Sequence, residues 1–307
     1  AVLRAKHGVS VFRDGTIRFD MVDITMTHFR PREVGMSLEQ AHELGYLVDS
    51  IDEVVEIFPQ DVVIPENCVE DIISVCQFTD DELKYIYDLE PYYNVKEGKD
   101  LIGQLIMGIA PHTSGAILGR IIGFTSVKGH YGHPFYHAAK RRNCDGDIDA
   151  IIMLTEGVLN FSRQFLPRSR GGQMDAPLIL TMGINPNEID KEALNVETCN
   201  SYPVDFYEVT QGHKTEDGWK PAGPKDATAW VETVEARLGT AGESEGFGFT
   251  HDTTDCNHGP AWNPYNDKEH VLSMRQKTRA QFALGEVFHS VDNQRQSAKL
   301  IDTHLIR

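Results

Sequence analysis

A chain of 307 residues, 40% hydrophobic and 9% aromatic, can bury a substantial core and suits two or three modules rather than one small domain. No apolar run approaches the ~20 residues of a membrane span, so no membrane partner is expected. A formal net charge of −17 argues against coating of nucleic acid by the whole surface. It leaves room for a local basic channel, because fields are screened beyond about 8 Å at physiological salt.

In chain order, residues 1–30 read as strands, with Val9–Phe12 and Thr16–Phe19 flanking an Asp14-Gly15 hairpin turn. Ser37 to Gln40 matches a capping box that opens a short helix, closed by Gly45. Val54–Ile57 and Val62–Ile64 read as short strands. Two helices follow, one through Val69, Ile72, Ile73 and Cys76 and a second starting at Thr79. Leu101–Phe124 is apolar and studded with glycines, which suits strands of a small, strongly bent barrel. The spacing of Ala150, Met153, Leu154, Val158 and Phe161 predicts a helix over 150–164, and a strand is expected at Leu178–Met182. Gln211–Asp226 reads as an exposed loop, followed by a helix around 227–237, a glycine turn at Gly246–Gly248 and a long final helix over roughly 267–300.

The chemistry concentrates in Asn143-Cys144-Asp145-Gly146-Asp147-Ile148-Asp149. This acidic cluster follows a segment, Leu101–Cys144, without any Asp or Glu but with Arg120, Lys128, Lys140, Arg141 and Arg142 and with His112, His130, His133 and His137. A second acid-free run, Gly157–Met174, contributes Arg163, Arg168 and Arg170. Two carboxylates one glycine apart repel unless a divalent cation joins them, and Gly146 gives the backbone freedom to aim both at one point. Asp oxygens suit Mg²⁺, and the flanking cations suit the phosphates around it. Metal-dependent phosphoryl transfer on a nucleic acid is the expectation.

Two metal alternatives fit less well. Asp145, Asp147, Asp149 and Glu156 fall at positions 1, 3, 5 and 12 of a calcium loop, but Ala150 stands where such a loop needs glycine and Ile151–Leu154 is apolar. His130, His133 and His137 with Cys144 offer zinc ligands, yet Gly129, Gly132 and Pro134 break any helix that would align them. The cysteines at 68, 76, 144, 199 and 256 are widely spaced and never form a C-x-x-C pair, which argues against a disulfide framework or four-Cys zinc site and fits a reducing cytoplasm. The opening Ala1-Val2-Leu3-Arg4 lacks Met and the end at Leu305-Ile306-Arg307 carries no tail, which points to a piece of something longer.

The block His133-Pro134-Phe135-Tyr136-His137-Ala138-Ala139-Lys140-Arg141-Arg142-Asn143-Cys144-Asp145-Gly146-Asp147 resembles the large subunit of archaeal family D DNA polymerases. So do Val2–Gly8, Ala110–Ser114, Leu159–Arg163, Arg170–Leu178 and the stretch from Gly246 to Thr253. The resemblance implies an α+β fold built on a double-psi β-barrel catalytic core, with helical insertions and a helical C-terminal part. The expected organisation is barrel strands at 1–31, a mainly helical insertion at 32–98, the catalytic barrel at 99–185, and a mixed region at 186–307 ending in a long helix.

It further implies template-directed DNA synthesis by two-metal nucleotidyl transfer on a primer-template, with dNTPs as substrate and Mg²⁺ as cofactor. Asp145 and Asp147 are then the metal carboxylates and Asn143 their partner, while Lys140, Arg141, Arg142, Lys128, Arg163, Arg168, Arg170 and His137 are candidates for phosphate or DNA. Zinc is not expected in this segment. The implied partners are a small exonuclease subunit and the remaining parts of the large subunit, including another catalytic barrel and cysteine-rich zinc modules, so the segment alone is expected to be inactive. Where the family commonly carries two acids after Asp-Gly-Asp, this chain has Ile148 and then Asp149. A metal-dependent nuclease and a non-catalytic nucleic-acid-binding or assembly module are the alternatives.

Overall fold

Short runs rich in Val and Ile build the strands, and the sheet they form closes on itself. The computed structural model describes residues 2–141, 145–220, 223, 229–243, 245–250, 255–257, 279, 282 and 292–301. The chain divides into two units, Ala1–Ala261 and Trp262–Arg307. In chain order the first unit carries β1 (Phe19–Thr25), β2 (His28–Phe29), β3 (Val55–Glu56), β4 (Asp61–Pro65), β5 (Leu105–Ile109), β6 (Gly115–Thr125), β7 (His130–Gly132), β8 (Asp145–Met153) and β9 (Ile179–Thr181).

The barrel runs β4-β7-β1-β8-β5-β6, and β6 returns to pair with β4, so six strands form a closed mixed sheet. The β1–β7 and β4–β6 pairs are parallel and the other pairs around the ring antiparallel. β9 adds in parallel to the first residues of β6. Closure leaves no unpaired rim along these strands. The interior is filled by Val62, Ile64, Ile106, Ile121, Ile151 and Met153, packed with residues of a long helix, α3 (Val69–Ile86).

Several local expectations hold for the stated reasons. Helix α2 (Leu38–Leu44) is capped by Ser37, whose Oγ accepts from Gln40 N–H, and closed by Gly45 at φ 99°. Strands stand at β3, β4, β5, β6 and β9, inside or overlapping the predicted runs.

Others are corrected. Residues 2–18 hold no strand: Val2–His7 is a helix, α1, packed along α3, where Lys6 and His7 both meet Asp81. Asp14-Gly15 does turn the chain, since Phe12 N–H donates to Thr16 O at 2.7 Å. The Asp14 carboxylate, however, accepts from both the Thr16 amide and its hydroxyl and pairs with Arg18. These local bonds replace a ladder.

The two helices expected around residues 69–87 are the single α3. Thr79 lies buried in its interior, and its Oγ1 donates to Val75 O at 2.8 Å instead of capping a new start. The helix expected over 150–164 is the end of β8 followed by a shorter helix, α5 (Leu154–Asn160), which comes after α4 (Pro134–Ala139) in the chain. Ala150–Met153 are all buried because β8 lies between β1 and β5, and a strand buried on both faces shows no alternation.

Farther on, the expected loop 211–226 contains a small hairpin, β10 (His213–Thr215) with β11 (Gly218–Lys220). Of the helix expected around 227–237, residues 227–228 lie outside the described residues and the described part shows a single turn, Val234–Arg237; Gly246–Gly248 carries no regular structure. Within the second unit the described residues are helical at Arg279, at Phe282 and over Asn293–Leu300, the last capped by Asp292, and most of the expected 267–300 helix lies outside the described residues. Among the described residues no helix is long and apolar enough to cross a membrane.

Candidate active site

Helix α4 delivers the chain into the acidic motif. Pro134 occupies its first turn, and His133 caps it, with Nδ1 accepting from Phe135 N–H at 2.9 Å. At the other end Lys140 is the C-cap and Arg141 follows with φ 58°, its N–H donating to Ala138 O at 3.0 Å. A left-handed residue turns the chain sharply out of the helix. Asp145 then begins β8, so the two core aspartates lie at the start of a strand rather than in a free loop.

The pairing of β8 with β1 is irregular at this point. Ile24 faces Asp145 and Val22 faces Ile148, so two β8 residues, Gly146 and Asp147, oppose the single Asp23. This is a β-bulge, which breaks the strict alternation of side chains. Without it, Asp145, Asp147 and Asp149 would share one face of the strand. Asp149 is buried and Asp147 only half-buried.

Behind the bulge sits a charged cluster within the protein. The Lys140 Nζ donates to Asp23 Oδ2 at 3.0 Å and also pairs with the Asp149 carboxylate. His130 Nε2 lies 3.1 Å from Asp23 Oδ1, and His137 Nδ1 lies 3.2 Å from Asp23 Oδ2. The other His137 nitrogen donates to Ile24 O. The side chains of Asp23, Asp149, His130, His137 and Lys140 are wholly buried. The Tyr136 ring lies 4.8 Å from the ammonium.

Two glycines make room for this arrangement. A Cβ at Gly108 would stand 2.2 Å from the Tyr136 hydroxyl and 3.3 Å from Lys140 Cδ, and one at Gly119 would stand 3.1 Å from the same hydroxyl.

Burial governs the protonation states. It lowers both histidines, His130 to about 3, with the Lys140 charge acting in the same direction. Burial opposes ionisation of Asp23, but Lys140 and the histidines outweigh it and hold that carboxyl well below the usual range. Burial pushes the Asp149 carboxyl up to about 7, and the adjacent Asp23 charge adds to the rise. Lys140 stays charged against the cost of burial because two carboxylates face it.

The predicted site residues therefore separate into groups. Lys140 and His137, expected on phosphate, are corrected: both are fully buried against Asp23 and reach no surface on which a phosphate could lie. Arg141, Arg163, Arg168 and Arg170 are exposed, and Lys128 is half-buried. Arg142 and Asn143 lie outside the described residues, as does the Asp145 side chain.

The zinc arrangement is not assembled as spaced. His133 turns away toward Glu56 and lines a cavity of about 390 Å³ with Phe135 and Phe247. His130 and His137 instead join Asp23, with ligand atoms within 4.8 Å of one another, a set able to hold a metal were Lys140 not already beside it. The calcium loop is also excluded by placement, since Glu156 is buried and accepts from Ile17 N–H at 3.1 Å.

Sequence reasoning missed Asp23. Its signal was phase: Asp23 follows Met21 at the buried positions of β1, and an acid in step with a core face needs a partner inside.

Comparison with known proteins fixes the family. The family described as "DNA polymerase II large subunit DP2, catalytic domain" matches residues 1–277. The chain belongs to that family. A DNA polymerase II large subunit of Methanocella arvoryzae is 48% identical over 99% of this chain and 26% of its own length. That of Methanocorpusculum labreanum is 44% identical over 99% of the chain and 27% of its own length, and that of Pyrococcus furiosus 44% over 99% and 24%. This DP2-type chain thus spans about a quarter of the length of the curated relatives it matches. In DP2 terms the buried cluster lies directly beneath the Asp-Gly-Asp motif of a catalytic domain.

Proposed function

We propose that this chain forms the nucleotidyl-transfer centre of a replicative, archaeal-type DNA polymerase, with Asp145 and Asp147 as the metal-binding carboxylates and Asn143 beside them. The single observation that supports this most is the bulge at Gly146–Asp147, which shifts the register of β8 on β1 between Asp145 and Ile148, just ahead of the internally neutralised Asp149. The donor set fits a hard divalent cation such as Mg²⁺, being carboxylate oxygen, whereas the nearby imidazoles are already turned inward to Asp23. The closed six-stranded barrel with its two parallel pairs is compatible with a double-psi topology.

When bound, Mg²⁺ would supply acidification of the primer 3′-hydroxyl and charge neutralisation of the departing pyrophosphate. The chain's own contribution is placement. Asp145 and Asp147 fix where the reacting oxygens converge, and the rigid barrel strand under them limits reorganisation. Exposed Arg141, with Arg142 and Lys128, would orient the triphosphate of the dNTP, and Arg163, Arg168 and Arg170 would follow the backbone of the primer-template. The remaining parts of the large subunit and a small exonuclease subunit would complete the enzyme, in the cytoplasm.

In the assembled polymerase, Asp145→Ala is expected to abolish primer extension while duplex binding persists. Extension assays with dNTPs, degradation assays without them and a binding titration measure this together. Retention of more than about a few per cent of activity would contradict the assignment, since loss of a metal carboxylate removes several kcal/mol of transition-state stabilisation. Degradation without synthesis would point to a nuclease instead.

A further inference from the structure

We propose that Lys140 is an internal positioning residue, which pins both ends of the acidic motif to β1 through Asp149 and Asp23 and thereby fixes the metal-binding carboxylates. This rests on the reading of Asp145 and Asp147 given above. Lys140 is the C-cap of the helix that enters the motif, and Asp149 stands in the strand that leaves it. Their side chains meet at one ammonium, and Asp23 holds that ammonium from the opposing strand at 3.0 Å. Three elements, α4, β8 and β1, are therefore joined at a single atom.

The same atom lies 3.0 Å from Oδ2 of Asp23, the carboxylate that His130 and His137 also face. It also keeps two buried carboxylates together that would otherwise repel. Without it, Asp149 must either move away from Asp23 or take up a proton, and either change loosens the tie between α4 and β8; Asp149 is two residues from Asp147 in the strand that carries the bulge. Because Lys140 has no exposed surface, its loss should disturb the motif without removing a contact to the triphosphate.

The test uses the assembled polymerase with Lys140→Met and Asp149→Asn, assayed across titrations of Mg²⁺ and of dNTP, with melting temperature followed in parallel. Asp149→Asn keeps the shape and removes a buried charge, so it is expected to fold and assemble. Its kcat should fall about tenfold or more, as expected for small misplacements of reacting groups. Its half-saturating Mg²⁺ should rise about tenfold, as for lost support of metal ligands. KM for dNTP should stay unchanged. Lys140→Met should show the same split, and if it does not fold, Asp149→Asn decides.

Wild-type kcat and Mg²⁺ dependence in Asp149→Asn, or failure of that variant to assemble, would overturn the clamp. So would a raised KM for dNTP with kcat preserved in Lys140→Met, which would return the lysine to phosphate contact. Failure of the clamp leaves Asp145→Ala inactive; failure of the underlying polymerase reading leaves Asp145→Ala active.

Discussion

The Glu156 carboxyl is buried beside the segment that enters β1, and its described hydrogen bond is the one that Oε2 accepts from Ile17 N–H. Burial is the main reason its ionisation is pushed up from 4.5 to about 8, with the Ile17 bond opposing and the charges of Glu82 and Asp14 adding. The folded pKa is raised, so the unfolded chain ionises first as pH increases. The stabilisation this group contributes is therefore complete below about 4.5 and lost as pH rises through about 8. Each unit of separation is worth about 1.4 kcal/mol. Glu156→Gln retains an acceptor for Ile17 and cannot ionise. The variant should match the parent in melting temperature near about pH 5 and exceed it increasingly toward about pH 8. Parallel pH curves for the two proteins would show that the carboxyl ionises in both states alike.

At the scale of elements, α4 depends on space left for it by the neighbouring sheet. Gly108 on β5 leaves that space, since a methyl there meets the Tyr136 hydroxyl at 2.2 Å and its ring carbon at 2.9 Å. Gly108→Ala should cost about 1–3 kcal/mol by overpacking, read as a fall in melting temperature. Combination with Tyr136→Phe, which removes the nearer clashing atom, should cost less than the sum of the single changes. Additive costs would mean that the glycine serves the strand rather than the helix.

The glycines of Leu101–Phe124 were legible as signs of a tightly built barrel, but not as the seat of Tyr136, because that contact joins residues far apart in sequence. Ser37 and Gly45 were legible because capping is chemistry among neighbours. The strand Ala150–Met153 was not, since continuous burial erases the period by which strands and helices are told apart. Of the site, the Asp-Gly-Asp spacing could be read directly. The fate of Lys140 could not, because a basic run looks the same whether each side chain faces water or two buried acids.

For the molecule as a whole, the net charge of −17 hides an uneven distribution. Some cations of the acid-free segments are neutralised internally, Lys140 by Asp23 and Asp149, and Arg120 by a two-pronged pair with Asp61 at 2.8 Å on each oxygen. Arg163, Arg168 and Arg170 are exposed in a stretch without acids. If they lie along a nucleic-acid backbone, each phosphate neutralised contributes about 0.9 to the slope of log affinity against log salt. Replacing all three by Ala in the assembled polymerase should reduce that slope by roughly 2–3 units for primer-template binding, measured by titration at several salt concentrations. An unchanged slope would remove these residues from the DNA path.

Asp23 and Lys140 are 117 residues apart along the chain. A ribosome makes the acid long before its counter-charge, and the second acid, Asp149, arrives last. Until Lys140 has emerged, the nascent chain holds a carboxylate destined for the interior without its ammonium, so the first strand of the barrel cannot reach its buried pairing early. Closure of the ring and neutralisation of its buried lysine therefore both wait on the strand that carries Asp149.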